Sequence, residues 1–543
     1  MTDTGWNFAD VFEALADRIP DALAQRQGDR STTWAEFDRR ADGIAAALLA
    51  SGHEHSMVEQ DKVAQYLYNG PEYLESTFGA WKAGLATVNT NYRYTADELV
   101  YLWDNGDVVA VVFHGTFVDQ IEQVRSRLPR IHTWMWVDDG SGPMPEWATP
   151  YEQAATSSPG RTAGPWGRSG NHLMLLYTGG TTGMPKGVMW RQDDLFGALD
   201  SANKKRMPPE QDLDAARERV MKPGPRNLPA APLMHGTGLF NALSNLIVGG
   251  SVITMEGRRF DPVELLDTIG VQQVNSMSIV GDAFAKPILR ALDAEPDRWD
   301  ISTLRVIVSS GVMWSSESKA GLLRHNPRLI MVDALGSSEA IGMATNTTTA
   351  ETVSSGGGGE TARFALGPNT RVVTEDGRDV VPGSGELGRV ALRGFTPIGY
   401  YKDEEKSAAT FQVIDGVRYS ILGDWAEVET DGTVKLLGRG SQCINTGGEK
   451  VYPEEVEEVL KLHPSVIDAA VVGVPDERFG QAVTALVEAH PGATIDEADV
   501  IAHVRTKLAA YKAPKRVIEV ASIGRAANGK LDYKHLTTTA LDS

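Results

Sequence analysis

A single cysteine, Cys443, stands in 543 residues. No internal disulfide can form, which fits a reducing compartment. Basic residues are outnumbered: 52 Lys and Arg against 72 Asp and Glu leave a formal net charge of −20. That balance excludes a general nucleic-acid binder, which needs a basic face to neutralise phosphate. Long apolar runs are missing too. The longest mostly apolar stretch, Leu239 to Met255, is broken by Asn241, Ser244, Asn245 and the Gly249–Gly250 pair, and is too short and polar to span a bilayer. The stretch Met1 to Ala9 carries Asp3 and neither a basic nor an apolar signal region, so no signal peptide is expected and the expected location is cytoplasmic. There is no His-Glu-x-x-His and no Gly-x-Ser-x-Gly, so zinc-protease and serine-hydrolase chemistry has no foothold. His53 and His55 flank Glu54 in a loop-like stretch and read as surface residues rather than a metal site.

What is present is ordinary globular material, 42% hydrophobic and 23% charged, in a chain too long for one core. At least two domains are expected. Phe8, Phe12, Leu15 and Ile19 recur at helical spacing before Pro20. Strand-like runs such as Val108–Phe113 and Arg305–Val308 alternate with helical patterns such as Asp261–Ile269. This predicts an α/β domain with mostly parallel, buried strands over residues 1–438. Asn203 to Asn227 is polar and Pro-containing and reads as an exposed excursion or lid; Ser354 to Gly359 is a Gly-rich loop. From about Arg439 the texture changes. Pro453 marks a helix start followed by Val456, Val459 and Leu460, then strands Ile467–Val474 and Val483–Val487 and a helix near Glu497–Leu508. A small α+β C-terminal domain over 439–543 is expected.

The loudest local signal is Tyr177-Thr178-Gly179-Gly180-Thr181-Thr182-Gly183-Met184-Pro185-Lys186-Gly187, after the apolar run Leu173 to Leu176. Glycines let backbone N–H groups approach phosphate oxygens, threonine hydroxyls add donors, and Lys186 adds a charge. A plain Gly/Thr-rich hairpin turn is the bland alternative. A Walker A loop fails on spacing, because Pro185 precedes Lys186 and Gly187 follows it.

This loop resembles the signature of the adenylate-forming superfamily, which includes acyl-CoA synthetases, peptide-synthetase adenylation domains and luciferases. The resemblance recurs in order along the chain: Thr33-Trp34-Ala35-Glu36-Phe37, Trp81-Lys82-Ala83-Gly84, Ala231-Pro232-Leu233-Met234-His235-Gly236, Gly336-Ser337-Ser338-Glu339, Gly423-Asp424, Gly438-Arg439, Gly447-Gly448-Glu449-Lys450 and Asn528-Gly529-Lys530. It implies ATP, Mg²⁺ and coenzyme A as cofactors, with a small carboxylic acid as partner. It implies that Thr178, Gly179, Gly180, Thr181, Thr182, Gly183 and Lys186 hold phosphates, and that Ser338 and Glu339 meet the α-phosphate, Glu339 also binding the metal. Asp424 would accept from the ribose hydroxyls with help from Arg439. Ser310, Gly311, Asp333, Leu335 and Gly336 would complete the nucleotide contacts. His235 would lie beside the acyl and pantetheine channel. Lys530 would bridge carboxylate and phosphate during adenylation. The small domain would then turn about a hinge at Gly440–Ser441, replacing Lys530 by Gly447, Gly448, Glu449 and Lys450 for thioester formation.

Several positions depart from the commonest pattern of that superfamily. Ser441 stands at a hinge usually Asp or Lys, Leu422 replaces a Thr, Leu335 an adenine-stacking aromatic, and Gly524-Arg525-Ala526 a Pro-Arg-Thr. No charged catalytic group is lost. Little chain follows Lys530, so free CoA rather than a fused carrier domain is the expected acceptor. Gly238, Leu239, Phe240, Ala242 and Leu243, with the region Val280–Phe284, are small or apolar and carry no cation for a second substrate charge. A hydrophobic acid is expected. Asn89-Thr90-Asn91-Tyr92-Arg93-Tyr94 is similar to bacterial medium-to-long-chain and sterol-side-chain acyl-CoA synthetases. An aryl-acid ligase, a fatty acyl-AMP ligase loading a carrier protein, and a non-catalytic adenylate-binding protein are the alternatives. Membrane contact would be peripheral at most, and a homodimer is the assembly kept in view.

Overall fold

The computed structural model describes residues 5–50, 57–180, 183–201, 203, 207, 212–311, 314–354, 363–439, 444–446, 449–476, 480–508, 510–526 and 531–543. His53, His55, Thr181, Thr182, Ser441, Cys443, Gly447, Gly448 and Lys530 lie outside them.

The first sheet is built on parallel strands Lys62–Tyr66, Ala86–Asn89, Val108–His114, Thr133–Val137 and Leu173–Gly180. All seven residues of Val108–His114 are buried. Successive side chains go to opposite faces: Ala110 and Val112 join one apolar cluster, Val111 and Phe113 the other. A strand covered on both faces has no polar face to show, which is why it reads as a continuous apolar run. The edge beyond Leu173–Gly180 is antiparallel, made by Gly183–Arg191 and then the short strand Gly399–Tyr400.

A second sheet has fourteen strands among the described residues. Arg226–Pro229, Ser276–Ile279, Val306–Ser309 and Ile330–Ser337 run parallel, and from Ile330–Ser337 onward the neighbours turn antiparallel, through Ala340–Thr348 to Val417–Val428 and Val434–Arg439. The sheets are thus mixed, parallel at their centres and antiparallel where the site lies. A third sheet, confined to residues 444–519, shares no strand with the others. It has its own core of Val456, Leu460, Val471, Val483 and Ala485 beneath helices Pro453–Lys461 and Glu497–Lys507.

Of the segment Asn203 to Asn227, the described residues 212–227 are largely exposed or half-buried, as expected, but anchored to the body of the protein. Asp212 caps a helix Leu213–Arg219, in which Ala216 is buried, and Val220 enters the main core. Arg219 and Asp200 pair at 2.7 Å with side chains 5% and 6% exposed. Leu213, Ala216 and Val220 carry a helical spacing that the surrounding charges conceal. The stretch Leu239–Met255 divides between helix Gly236–Leu246 and strand Ser251–Thr254, and among the described residues no helix is long and apolar enough to cross a membrane. Lys82 is fully buried at the end of helix Pro71–Lys82, where Glu13, Asp38 and Asp42 surround its ammonium at 2.8, 2.6 and 2.7 Å.

Candidate active site

The Gly/Thr-rich loop is a β-hairpin. Leu173–Gly180 and Gly183–Arg191 pair antiparallel, with Thr178 opposite Lys186 and Tyr177 opposite Gly187. The hairpin does not exclude phosphate binding at its turn, because the pairing presents Lys186 beside that turn. A Cβ on Gly187 would lie 2.7 Å from the Tyr177 ring, so only glycine fits there.

Asn89 ties this hairpin to the histidine loop. Its Oδ1 accepts from Tyr177 N at 2.6 Å, and its Nδ2 donates to Tyr177 O at 2.9 Å and Met234 O at 2.7 Å. Asn69 does similar work further along: Leu233 N donates to its Oδ1 at 2.7 Å, and its Nδ2 faces Pro229 O and Ala231 O. His235 follows at the N-cap of helix Gly236–Leu246, half-buried. That helix starts tightly on its own loop, since a Cβ on Gly238 would meet Pro232 O at 2.3 Å. In its first turn the Thr237 and Ser310 hydroxyls share a hydrogen bond of 2.7 Å, and Gly311 follows with a φ of +89°.

The Gly336–Glu339 turn docks on the same hairpin. Trp190 Nε1, from strand Gly183–Arg191, donates to Ser338 O at 2.8 Å, and the Trp190 ring meets Phe240 edge-on at 6.3 Å. Glu339 is 9% exposed. Tyr400 Oη donates to its Oε1 at 2.8 Å, Ser420 Oγ donates to its carbonyl at 3.0 Å, and its own N–H donates to Ser337 Oγ at 3.0 Å. Among the described residues no protein donor is recorded on Oε2, and none gather into a cluster of three or more His, Cys, Asp and Glu. One held carboxylate with an oxygen to spare suits a Mg²⁺ shared with phosphate oxygens and water, and does not suit an all-protein cage.

Asp424, 7% exposed, lies on strand Val417–Val428 with Arg439 as its register partner on Val434–Arg439. Glu449 and Lys450 pair as strand residues with Thr446 and Asn445 in the third sheet. Asp333 has a protein partner: Lys319 holds it in a buried ion pair, side chains 8% and 6% exposed, and burial raises the Asp333 carboxyl above its ordinary range against the pull of Lys319. Leu335 and Leu422, two of the departures noted above, pack against one apolar cluster with Ala340, Met343 and Ala344. The two departures therefore share one apolar surface.

Lys186 forms an ion pair with Asp403, and hydrogen bonding from Lys186, then from the Lys406 N–H, holds the Asp403 carboxyl below its usual range. Sequence reasoning missed Asp403, Tyr400, Ser420, Trp190, Asn69 and Lys319. The one local sign was the run Gly399-Tyr400-Tyr401-Lys402-Asp403, polar and aromatic beside a strand edge.

The AMP-binding enzyme family profile matches residues 12–401, and that of the AMP-binding enzyme C-terminal domain matches 455–530. The chain is 41% identical over 538 residues to a medium/long-chain-fatty-acid–CoA/3-oxocholest-4-en-26-oate–CoA ligase of Mycolicibacterium smegmatis, covering 97% of this chain and 95% of that one. It is 39% identical to a 3-oxocholest-4-en-26-oate–CoA ligase of Rhodococcus rhodochrous, with the same coverage. Among solved structures, ATP-bound MatB from Rhodopseudomonas palustris aligns with a TM-score of 0.80 at 26% identity, over 98% of this chain and 99% of that one. With the Lys186 hairpin, the held Glu339 carboxylate and Asp424 on neighbouring strands, and a family profile spanning most of its length, the chain belongs to the AMP-binding enzyme family.

Proposed function

We propose that this protein is an acid–thiol ligase that activates a hydrophobic carboxylic acid with ATP and transfers the acyl group to coenzyme A. The single observation that carries the reading is that Lys186 and Glu339, distant in sequence, are joined through the same hairpin and the adjoining strand Gly399–Tyr400. In the first step a carboxylate oxygen attacks the α-phosphorus, the bond to the bridging oxygen breaks, and pyrophosphate leaves. In the second step the CoA thiolate attacks the acyl carbon and AMP leaves.

Such displacements depend on positioning and on charge neutralisation. The hairpin turn and Lys186 hold the departing phosphates, Ser338 meets the α-phosphate, and Asp424 with Arg439 orients the ribose. Mg²⁺ at Glu339 would offset charge on the phosphate oxygens. Lys530 serves the first step. Gly447, Gly448 and Glu449 serve the second after the domain 439–543 turns on residues 440–441. The acid is a fatty or steroid side-chain acid: the relatives carry those names, and Leu239, Phe240 and Leu243 bury an apolar helix face beside the neutral Thr237–Ser310 pair. The enzyme works in the cytoplasm and takes free CoA.

The test is pyrophosphate release with ATP and Mg²⁺ over straight-chain, aromatic and steroid acids, with and without CoA. CoA-dependent turnover on hydrophobic acids is expected. Pyrophosphate without thioester would mean a carrier-protein acceptor, and turnover of aromatic acids alone would overturn the substrate class.

A further inference from the structure

Lys186 has a partner, Asp403, that phosphate binding does not require. We infer that Asp403 is an intramolecular competitor for the pyrophosphate portion of the nucleotide, holding Lys186 until ATP arrives and reclaiming it as pyrophosphate departs. This rests on the proposal that Lys186 contacts the β- and γ-phosphates.

The backbone builds the competitor. Strand Gly399–Tyr400 runs antiparallel to Gly183–Arg191, with Tyr400 opposite Val188, and Tyr401 N donates to Gly187 O at 2.8 Å. Continued straight, that register would set Lys402 against Lys186, cation on cation. Instead Lys402 adopts a left-handed conformation, φ +55°, uncommon for a residue with a side chain. The chain turns, Lys402 swings to Asp107 at 2.8 Å, and Asp403 takes the place beside Lys186.

The two oxygens of Asp403 have separate tasks. Oδ2 meets Lys186, while Oδ1 accepts from Lys406 N at 2.9 Å and caps helix Glu404–Thr410. Anchored by its helix, the carboxylate cannot follow the lysine onto a nucleotide, so Lys186 is exchanged between two anions. Exposure separates this pair from the buried Lys319–Asp333 pair. The Lys186 and Asp403 side chains are 37% and 28% exposed, against 6% and 8% for Lys319 and Asp333. A solvent-accessible pair is weak enough to yield to a polyphosphate, and its return lowers the hold on the product.

Asp403→Asn in the full-length protein removes the charge and keeps a capping side chain. Calorimetric titration with ATP and Mg²⁺ should give binding tighter by about 1.5- to 5-fold, and pyrophosphate should inhibit at correspondingly lower concentration. AMP, lacking the outer phosphates, should bind unchanged. In a Lys186→Met background the Asp403→Asn change should do nothing to ATP affinity. Asp403→Ser, another capping residue, should reproduce each result and guards against a folding defect in the first variant. ATP affinity unchanged or weakened by both Asp403 variants, with Lys186→Met still weakening it, would overturn the competitor alone. No effect of Lys186→Met on ATP would overturn the phosphate role of Lys186, and the competitor with it.

Discussion

Replacing Tyr400 by phenylalanine isolates one hydrogen bond at the centre of the site. The phenol is 5% exposed, packs against Phe411 at a ring distance of 5.8 Å, and donates to Glu339 Oε1 at 2.8 Å. Phenylalanine keeps the ring contact and the strand pairing and deletes only the donor. A hydrogen bond to a charged acceptor contributes about 1.5–3 kcal/mol. If Glu339 must be fixed for the metal-loaded transition state, that range corresponds to a loss of about 10- to 100-fold in kcat/KM for ATP. The Mg²⁺ concentration for half-maximal rate should rise as well, because a carboxylate no longer restrained on one oxygen presents the other less well. Acid-dependent exchange of labelled pyrophosphate into ATP, measured across a Mg²⁺ titration, reads both effects. Thermal unfolding separates them from lost stability. An unaltered rate and Mg²⁺ requirement in a variant with unaltered Tm would refute the claim that Tyr400 positions a working Glu339.

Three other outcomes are expected. Lys530→Ala should abolish adenylate formation while largely sparing thioester formation from supplied acyl-AMP; equal loss of both half-reactions would remove the division of labour between the steps. Lys82→Met should destabilise the protein by about 3–5 kcal/mol, because the cation buried among Glu13, Asp38 and Asp42 is lost, with Arg168 still on Glu13 and Arg161 near Asp38 but Asp42 losing its ammonium; a Tm within a degree of wild type would contradict this. Glu458, on helix Pro453–Lys461, is raised from 4.5 to about 7, by burial first and then by Asp282, Glu457 and Asp333 against the opposing Lys461. A raised carboxyl contributes stability that is fully present below its unfolded value and is lost as pH climbs from about 4.5 to 7. Glu458→Gln should therefore match wild type near pH 4.5 and exceed it by about 1–3 kcal/mol at pH 8, read from Tm against pH.

The parts of the fold that were legible are those governed by local pattern. Val108–His114 announces a two-sided strand by its unbroken apolar run, and Phe8–Arg18 announces a helix by its apolar spacing before Pro20. The chemistry-bearing turns were legible because they recur in a recognisable order. The groups that hold those turns were not. Tyr400 and Ser420 reach Glu339 across 61 and 81 residues, and Asn89 reaches Met234 across 145. No periodicity links a hydroxyl to a carboxylate at such separations; only the strand order does. Asp333 illustrates the converse: the motif marks it for the nucleotide, yet Lys319, from a helix fourteen residues earlier, engages it in the fold. Within 212–227 the anchor at Ala216 and Val220 was hidden because charged composition outweighed a three-residue apolar spacing.

Asn89 has a mechanical consequence. With three hydrogen bonds it joins Tyr177, at the root of the Lys186 hairpin, to Met234, next to His235, which caps helix Gly236–Leu246. On the proposed function, the cradle for the nucleotide and the wall of the acid channel are thereby tied into one frame. An acid too bulky for its channel would displace Met234, and through the same amide would drag Tyr177 out of line. The misfit would register as a fault in phosphate alignment, so that the size of the acid is measured at the site where ATP is committed.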